Sequence, residues 1–235
     1  MNVYRERLQQ VTERIHRASQ SAHRLDSVHL LAVSKTQDVD AIRALVALGQ
    51  RDFGESYLQE ALPKITILAA LPLTWHFIGR LQGNKIRFIA KHFTWVHSLA
   101  SLHHAEQLSV QRPADLPLLK VFIQVNMSGE ASKEGVEPQQ IRPLVEACLR
   151  LPGLSLQGLM AIPAPSHLTG SFEVQQLPFR ALRELRDHYR AMGYNLPELS
   201  MGMSDDLEAA IHEGSTWIRV GTALFGHRTV PNGKT

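Results

Sequence analysis

Lys35 ends an apolar run in the segment HLLAVSKT, and its chemistry depends on what else the chain brings near it. Five of the six positions 29–34 suit a buried strand. A lysine after such a strand either carries its ammonium back to water along its aliphatic stem or reacts with a carbonyl as an imine. For a lone lysine the first reading is the ordinary one. A second group lies near the C-terminus. Ser200, Gly202 and Ser204 fall in SMGMSDD, and Gly221 and Thr222 in VGTALFG, with Arg219 two residues before Gly221. Hydroxyls, small residues and free amides at helix starts are what a phosphate group requires. Taken singly, either glycine reads as ordinary turn chemistry. Arg219 could equally be an ion-pair partner of Glu198 or Asp205.

Eight apolar segments have strand character: 29–35, 52–56, 75–79, 95–99, 118–126, 155–162, 198–202 and 217–221. The first seven are each followed by a helix-like segment, clearest at 38–49, 57–71, 83–93, 138–151 and 179–193. Asp38 and Gly49 bracket the first of these as cap and stop, Pro138 suits the first turn of another, and Ser204, Asp205 and Asp206 offer caps for LEAAIHEG. Strands alternating with helices imply a parallel sheet with helical crossovers, and eight units in 235 residues fit one closed (β/α)8 barrel better than an open doubly wound sheet. An extra N-terminal helix over about 2–24, a loop over 163–171 and a short tail over about 227–235 complete a single-domain expectation for residues 1–235.

In such a barrel the strand C-termini carry the site, and the loops after strands seven and eight often hold phosphate. Strand alternation puts Arg219 and Gly221 on one face, toward the mouth. Lysine, phosphate cup and inward arginine together point to pyridoxal 5′-phosphate (PLP), held as a Schiff base on Lys35 with Arg219 beneath the ring nitrogen. An arginine cannot accept a proton, so that nitrogen stays unprotonated and the ring is a weak electron sink.

Composition excludes other classes. The formal charge of +3 is scattered along the chain without basic runs, which gives nucleic-acid binding little support. The single cysteine, Cys148, cannot form an internal disulfide and sits on an amphipathic pattern, so core packing in a reducing compartment is expected. The charged N-terminus does not read as a leader, and no apolar segment is long enough to span a bilayer. The expectation is a cytoplasmic monomer with no nucleic-acid or membrane partner. Twelve histidines invite a metal, but His103 and His104 are adjacent, His92 and His97 straddle a helix–strand boundary, and no HExxH pattern occurs. His76 reads as a structural histidine before a proton shuttle, and surface packing explains Glu55 and Tyr57 as well as acid–base roles do.

The segments AVSKT, FGESYLQEA, WHFIGRLQGNK, VFIQVNMSGEASKEGV, GLMAIPAP and LSMGMSDDLEAAIHEGSTWIRVGTALFG closely resemble the pyridoxal phosphate homeostasis proteins. These are single-domain relatives of the alanine racemase N-terminal barrel. The resemblance implies a barrel that binds, buffers and hands PLP to apo-enzymes in vitamin B6 and amino-acid balance, without turning over a substrate. It implies cofactor contacts from Lys35, Ser200, Met201 (through its backbone), Arg219, Gly221 and Thr222; with Ser56, Asn84 and the hydroxyl of Ser204 these make the expected cofactor-binding set, with no catalytic residue and no metal. Ser56 stands where the family commonly has Asn, Arg80 replaces a proline, Gly83 a serine, and Gln37 a second lysine. Lys133 is a candidate secondary PLP-reactive amine, though solvation is the simpler reading.

The competing reading is an amino-acid racemase, which needs a second base opposite Lys35. In racemases that base is a tyrosine from a C-terminal β-domain, and the chain ends nine residues after the VGTALFG segment. A purely scaffolding module would leave the SMGMS and VGT loops without a purpose.

Overall fold

The computed structural model describes residues 2–127, 134–164 and 170–226. Eight parallel strands close into a barrel in sequence order: β1 (His29–Val33), β2 (Asp52–Glu55), β3 (Thr74–Phe77), β4 (Trp95–Leu99), β5 (Leu119–Gln124), β6 (Leu154–Met160), β7 (Glu198–Ser200) and β8 (Trp217–Val220). β1 pairs with β8 to close the ring, with His29 opposite Trp217 and Leu31 opposite Arg219. Each segment expected as a strand from its apolar pattern is one.

The outer layer comprises α2 (Val39–Ala47), α3 (Leu58–Ile67), α4 (Ile86–His92), α5 (Leu102–Gln111), α6 (Ile141–Arg150), α7 (Phe172–Ala191), α8 (Leu207–His212) and the short α9 (Thr222–Phe225). The leading helix α1 (Asn2–Ser21) packs on α8 and α9, burying Val11 and Ala18. The bidentate pair of Arg14 with Glu208, at 2.6 and 2.8 Å, fastens it there.

The punctuation works largely as read. Asp38 caps α2 by accepting from the Ala41 N–H at 2.7 Å, and Gly49 follows the helix at φ +101°. Asp206 differs. Instead of capping forward it folds back to accept from the Met203 N–H at 2.5 Å, fixing the β7–α8 loop. The last long helix also begins seven residues before position 179. Ser171 accepts from the Val174 N–H, and α7 runs through Pro178, which sacrifices only one backbone bond near the helix start. The tail over 227–235 lies outside the described residues, as do Lys133 and most of the 163–171 loop.

Two apolar layers hold the architecture together. Strand residues facing outward meet the helices in a continuous core that includes Ile42, Leu45, Phe53, Ile86, Val96, Val121, Leu159 and Leu199. Inside the ring, Leu31, Trp95, Phe122, Met160 and Trp217 form a second cluster, with Ile78 packed against it. Cys148 is buried in the outer core, and burial pushes its thiol up to about 12, so it packs as a small apolar side chain. Among the described residues no helix is long and apolar enough to cross a membrane.

Candidate cofactor pocket at the barrel mouth

A cavity of about 250 Å³ opens at the C-terminal ends of the strands. Lys35 reaches it from the end of β1, Ser56 from β2, Ser204 and Asp205 from the loop after β7, and Arg219, Gly221 and Thr222 from β8 and the start of α9. Val33, Ile78, Met160 and Ile162 supply apolar walls. The chain therefore brings six of its nine expected cofactor-binding residues around one cavity.

The other three lie elsewhere. Asn84 is exposed on the 3₁₀ turn before α4 and does not line the cavity. Met201 is fully buried, and its N–H already donates to the Trp217 carbonyl at 3.2 Å, so sheet pairing uses the amide expected to meet phosphate. Ser200 is also fully buried, and its Oγ accepts from Arg219 Nη1 at 2.9 Å and meets His97 Nδ1 at 2.8 Å. It lies beneath Arg219, not on the wall. Residue type and strand parity cannot distinguish these depths, because depth depends on how neighbouring strands are staggered.

Arg219 is 4% exposed. Its guanidinium donates to Ser200 Oγ and, through Nη2, to the Ala161 carbonyl at 3.0 Å, and not to Glu198 or Asp205. Burial pushes its pKa down to about 10, with Asp206 partly offsetting this, so it stays cationic at neutral pH. It is thus a charged group that lines the cavity and is fixed by two hydrogen bonds, to Ser200 and to the Ala161 carbonyl.

A buried polar cluster braces the turn that carries Lys35. Ser34 Oγ donates to Glu55 Oε1 at 2.6 Å, and Lys64 Nζ donates to the same oxygen and to the Ser34 carbonyl, both at 2.8 Å. Burial pushes the Glu55 carboxyl up, and Lys64 and Ser34 only partly offset it. On the other side of Lys35, Thr36 adopts φ +65° and its N–H donates to Glu60 Oε2 at 2.8 Å. A non-glycine residue in this region is costly and is kept where its surroundings over-determine it. Both neighbours of Lys35 are therefore tied to α3 or β2. From the sequence Glu55 read equally as an acid–base group or as surface packing, not as a buried ion-pair partner, and nothing local to Lys64 marks it as buried.

Gly79 permits the close fit of β2 to β3 at the mouth, since a Cβ there would come within 2.0 Å of the Ser56 carbonyl. Gly202, at φ +91°, turns the chain out of β7. His76 proves to be a satisfied interior histidine, stacked on Trp95 and bonded to Asp52 and His97. The part played by His97 was not legible, because its partner Ser200 is 103 positions away.

The donor set suits PLP: one amine, one fixed guanidinium, hydroxyls from Ser204 and Thr222, the small Gly221, and apolar walls for a flat ring. Comparison with known proteins agrees. Residues 7–229 match the family described as alanine racemase, N-terminal domain. The chain is 55% identical over 229 residues to the pyridoxal phosphate homeostasis protein of Pseudomonas aeruginosa, covering 97% of each chain. It is 46% identical over 233 residues to the protein of that name in Escherichia coli (strain K12), covering 97% of this chain and 98% of the other. The solved structure of PipY from Synechococcus elongatus PCC7942 with PLP bound superposes with a TM-score of 0.77 at 37% identity, covering 91% of this chain and all of that one. With its barrel, its pocket and its near-full-length similarity all in accord, this chain belongs to the alanine racemase N-terminal domain family and, within it, to the pyridoxal phosphate homeostasis proteins.

Proposed function

We propose that this protein binds PLP at the barrel mouth through a covalent link to Lys35 Nζ, and acts in PLP homeostasis as a carrier that hands the cofactor to apo-enzymes. The observation that carries the reading is the convergence of Lys35 on one cavity with Arg219, Gly221 and Thr222, which lie 184 or more positions further along the chain. When bound, PLP supplies an aldehyde that amines can attack and release. The chain's own part is to present and hold. Ser34, Glu55 and Lys64 fix the turn that aims the Lys35 amine, and Arg219 offers a plane of positive charge beside the ring. Gly221, Thr222 and Ser204 form the small, polar corner suited to the phosphate.

The walls favour holding over turnover. The charged side chains lining the cavity are Lys35, Asp205 and Arg219; among the described residues no tyrosine or histidine lines it. Racemisation needs a second base facing Lys35 across the substrate. Tyr57, the tyrosine nearest in sequence to Lys35 on the mouth side, is half exposed and does not line the cavity. A monomer in the cytoplasm is the setting in which we read this role.

Borohydride reduction of the PLP-loaded protein, followed by peptide mass mapping, tests the reading. The adduct should fall on Lys35 at one per chain, and Lys35→Ala should lose both the adduct and the yellow colour while keeping the fold. A full-stoichiometry adduct in Lys35→Ala would place the anchor on another lysine, with Lys133 the first to examine.

A further inference from the structure

A continuous polar chain crosses the barrel interior from its N-terminal end to the pocket. Asp52 Oδ1 lies 3.1 Å from His76 Nε2, His76 Nδ1 lies 3.0 Å from His97 Nε2, and His97 Nδ1 lies 2.8 Å from Ser200 Oγ. Ser200 Oγ in turn accepts from Arg219 Nη1 at 2.9 Å. Asp52 opens β2 at the end of the barrel opposite the pocket, and its side chain is 30% exposed, whereas His76, His97 and Ser200 are completely buried. The rings are held from the sides as well: His76 stacks on Trp95 with planes 7° apart, and His97 lies against Phe122 with centroids 4.6 Å apart.

Counting hydrogens fixes the direction of this chain. Burial keeps both imidazoles below the ordinary histidine range, His97 well below it, so at neutral pH each has one N–H and one lone pair. A carboxylate only accepts, so His76 must carry its hydrogen on Nε2. Its Nδ1 is then an acceptor, which requires the hydrogen of His97 on Nε2. His97 Nδ1 then accepts in turn, and the Ser200 hydroxyl must donate to it. Ser200 Oγ is left to Arg219 purely as an acceptor. In the reversed chain, His97 and Arg219 would both donate to Ser200, whose own hydrogen would have no partner in a site closed to water. An orphaned buried hydroxyl is costly.

Building on the reading of the pocket as a PLP site, we propose that Asp52 is a positioning residue for Arg219, acting across the barrel through His76, His97 and Ser200. By accepting from His76 it polarises every link, so that Ser200 holds the guanidinium as an acceptor and the Arg219 plane keeps its place at the pocket floor. Neither Asp52 nor either histidine touches the cavity.

Long-range ¹H–¹⁵N correlation of the histidine rings, on protein prepared without PLP, reads the assignment directly. His76 and His97 should both be neutral and protonated at Nε2 at pH 7.5. In Asp52→Ala the carboxylate's bias is lost and only the Ser200–Arg219 end still favours Nε2–H, so the Nδ1–H form should become detectable at both rings. PLP affinity, measured by equilibrium dialysis, should fall roughly two- to tenfold, with a shifted absorbance maximum of the loaded protein. His76→Phe keeps the stack on Trp95 but cuts the chain, and should lower affinity to a similar degree, with thermal unfolding run alongside to establish that each variant is folded. An Nδ1–H form at either ring of the unsubstituted protein would overturn the proposal, as would folded Asp52→Ala and His76→Phe proteins with unchanged affinity. If the unsubstituted protein takes up no PLP yet shows both Nε2–H forms, the pocket reading fails and the polarity of the chain stands.

Discussion

Lys64 Nζ lies 2.8 Å from Glu55 Oε1 and 2.8 Å from the backbone carbonyl of Ser34, the residue immediately before Lys35. A buried ion pair thus grips the main chain at the root of the proposed PLP anchor. Both partners are withdrawn from water, with side-chain exposures of 8% and 0%, so the pair functions as a unit. Removing one member strands the charge of the other.

Lys64→Met should therefore cost about 3–5 kcal/mol in denaturant unfolding, the range for breaking a buried pair on one side. The double substitution Lys64→Met with Glu55→Leu should recover most of that loss. PLP retention should remain impaired in the double variant, because the Ser34 carbonyl is no longer held. Recovery of both stability and retention would show that the pair does not aim Lys35.

Arg219→Lys should lower PLP affinity about tenfold or more, the scale of losing a hydrogen bond to a charged group. Lysine retains a positive charge but cannot bond Ser200 Oγ and the Ala161 carbonyl in one plane. Equilibrium dialysis against PLP measures the loss. An unchanged affinity would mean that only charge matters at this position.

Gly79→Ala should destabilise the fold by about 1–3 kcal/mol, the usual cost of overpacking. The new methyl would meet the Ser56 carbonyl at 2.0 Å, well inside contact distance. Because Ser56 lines the pocket, weaker PLP retention should accompany the drop in melting temperature.

Stability should fall on acidification below about pH 6.5, the ordinary histidine value taken for the unfolded chain. Burial lowers His76 and His97 in the folded state, so between the folded and unfolded values the unfolded chain binds more protons. Their contribution is complete above the unfolded value and is lost as pH drops through the interval. Each ring contributes a slope of up to about 1.4 kcal/mol per pH unit there. Urea unfolding from pH 7.5 to 5 measures it, and His76→Phe should flatten the curve by one proton's worth.

Much of the fold was legible because a parallel barrel leaves a strong local record. Each strand is an apolar run bounded by polar turns, and the regular alternation with helices permits few topologies. Parity along single strands also placed Arg219 and Gly221 together at the mouth, as the cavity shows. The start of α7 was less legible, because Pro178 looks like a boundary when it is only a tolerated interruption. Ser200 and Met201 illustrate the limit at the site. Their types and position after strand seven fitted a phosphate loop, yet Ser200 ends β7 one level below the cavity and Met201 has its amide committed to the sheet.

From its sequence alone this protein had its element order and barrel class determined, since these depend on patterns that repeat within a few residues, and its family through motifs spread along the chain; Lys35 and Arg219 stood out there only as candidates. Only the tertiary structure decided how deep each side chain sits, and hence which polar groups meet: Lys64 with Glu55, His97 with Ser200, Asp52 with His76. The physical reason is strand stagger. Parity tells which face a residue takes, but the offset between neighbouring strands, summed around a closed ring, sets its height along the barrel axis.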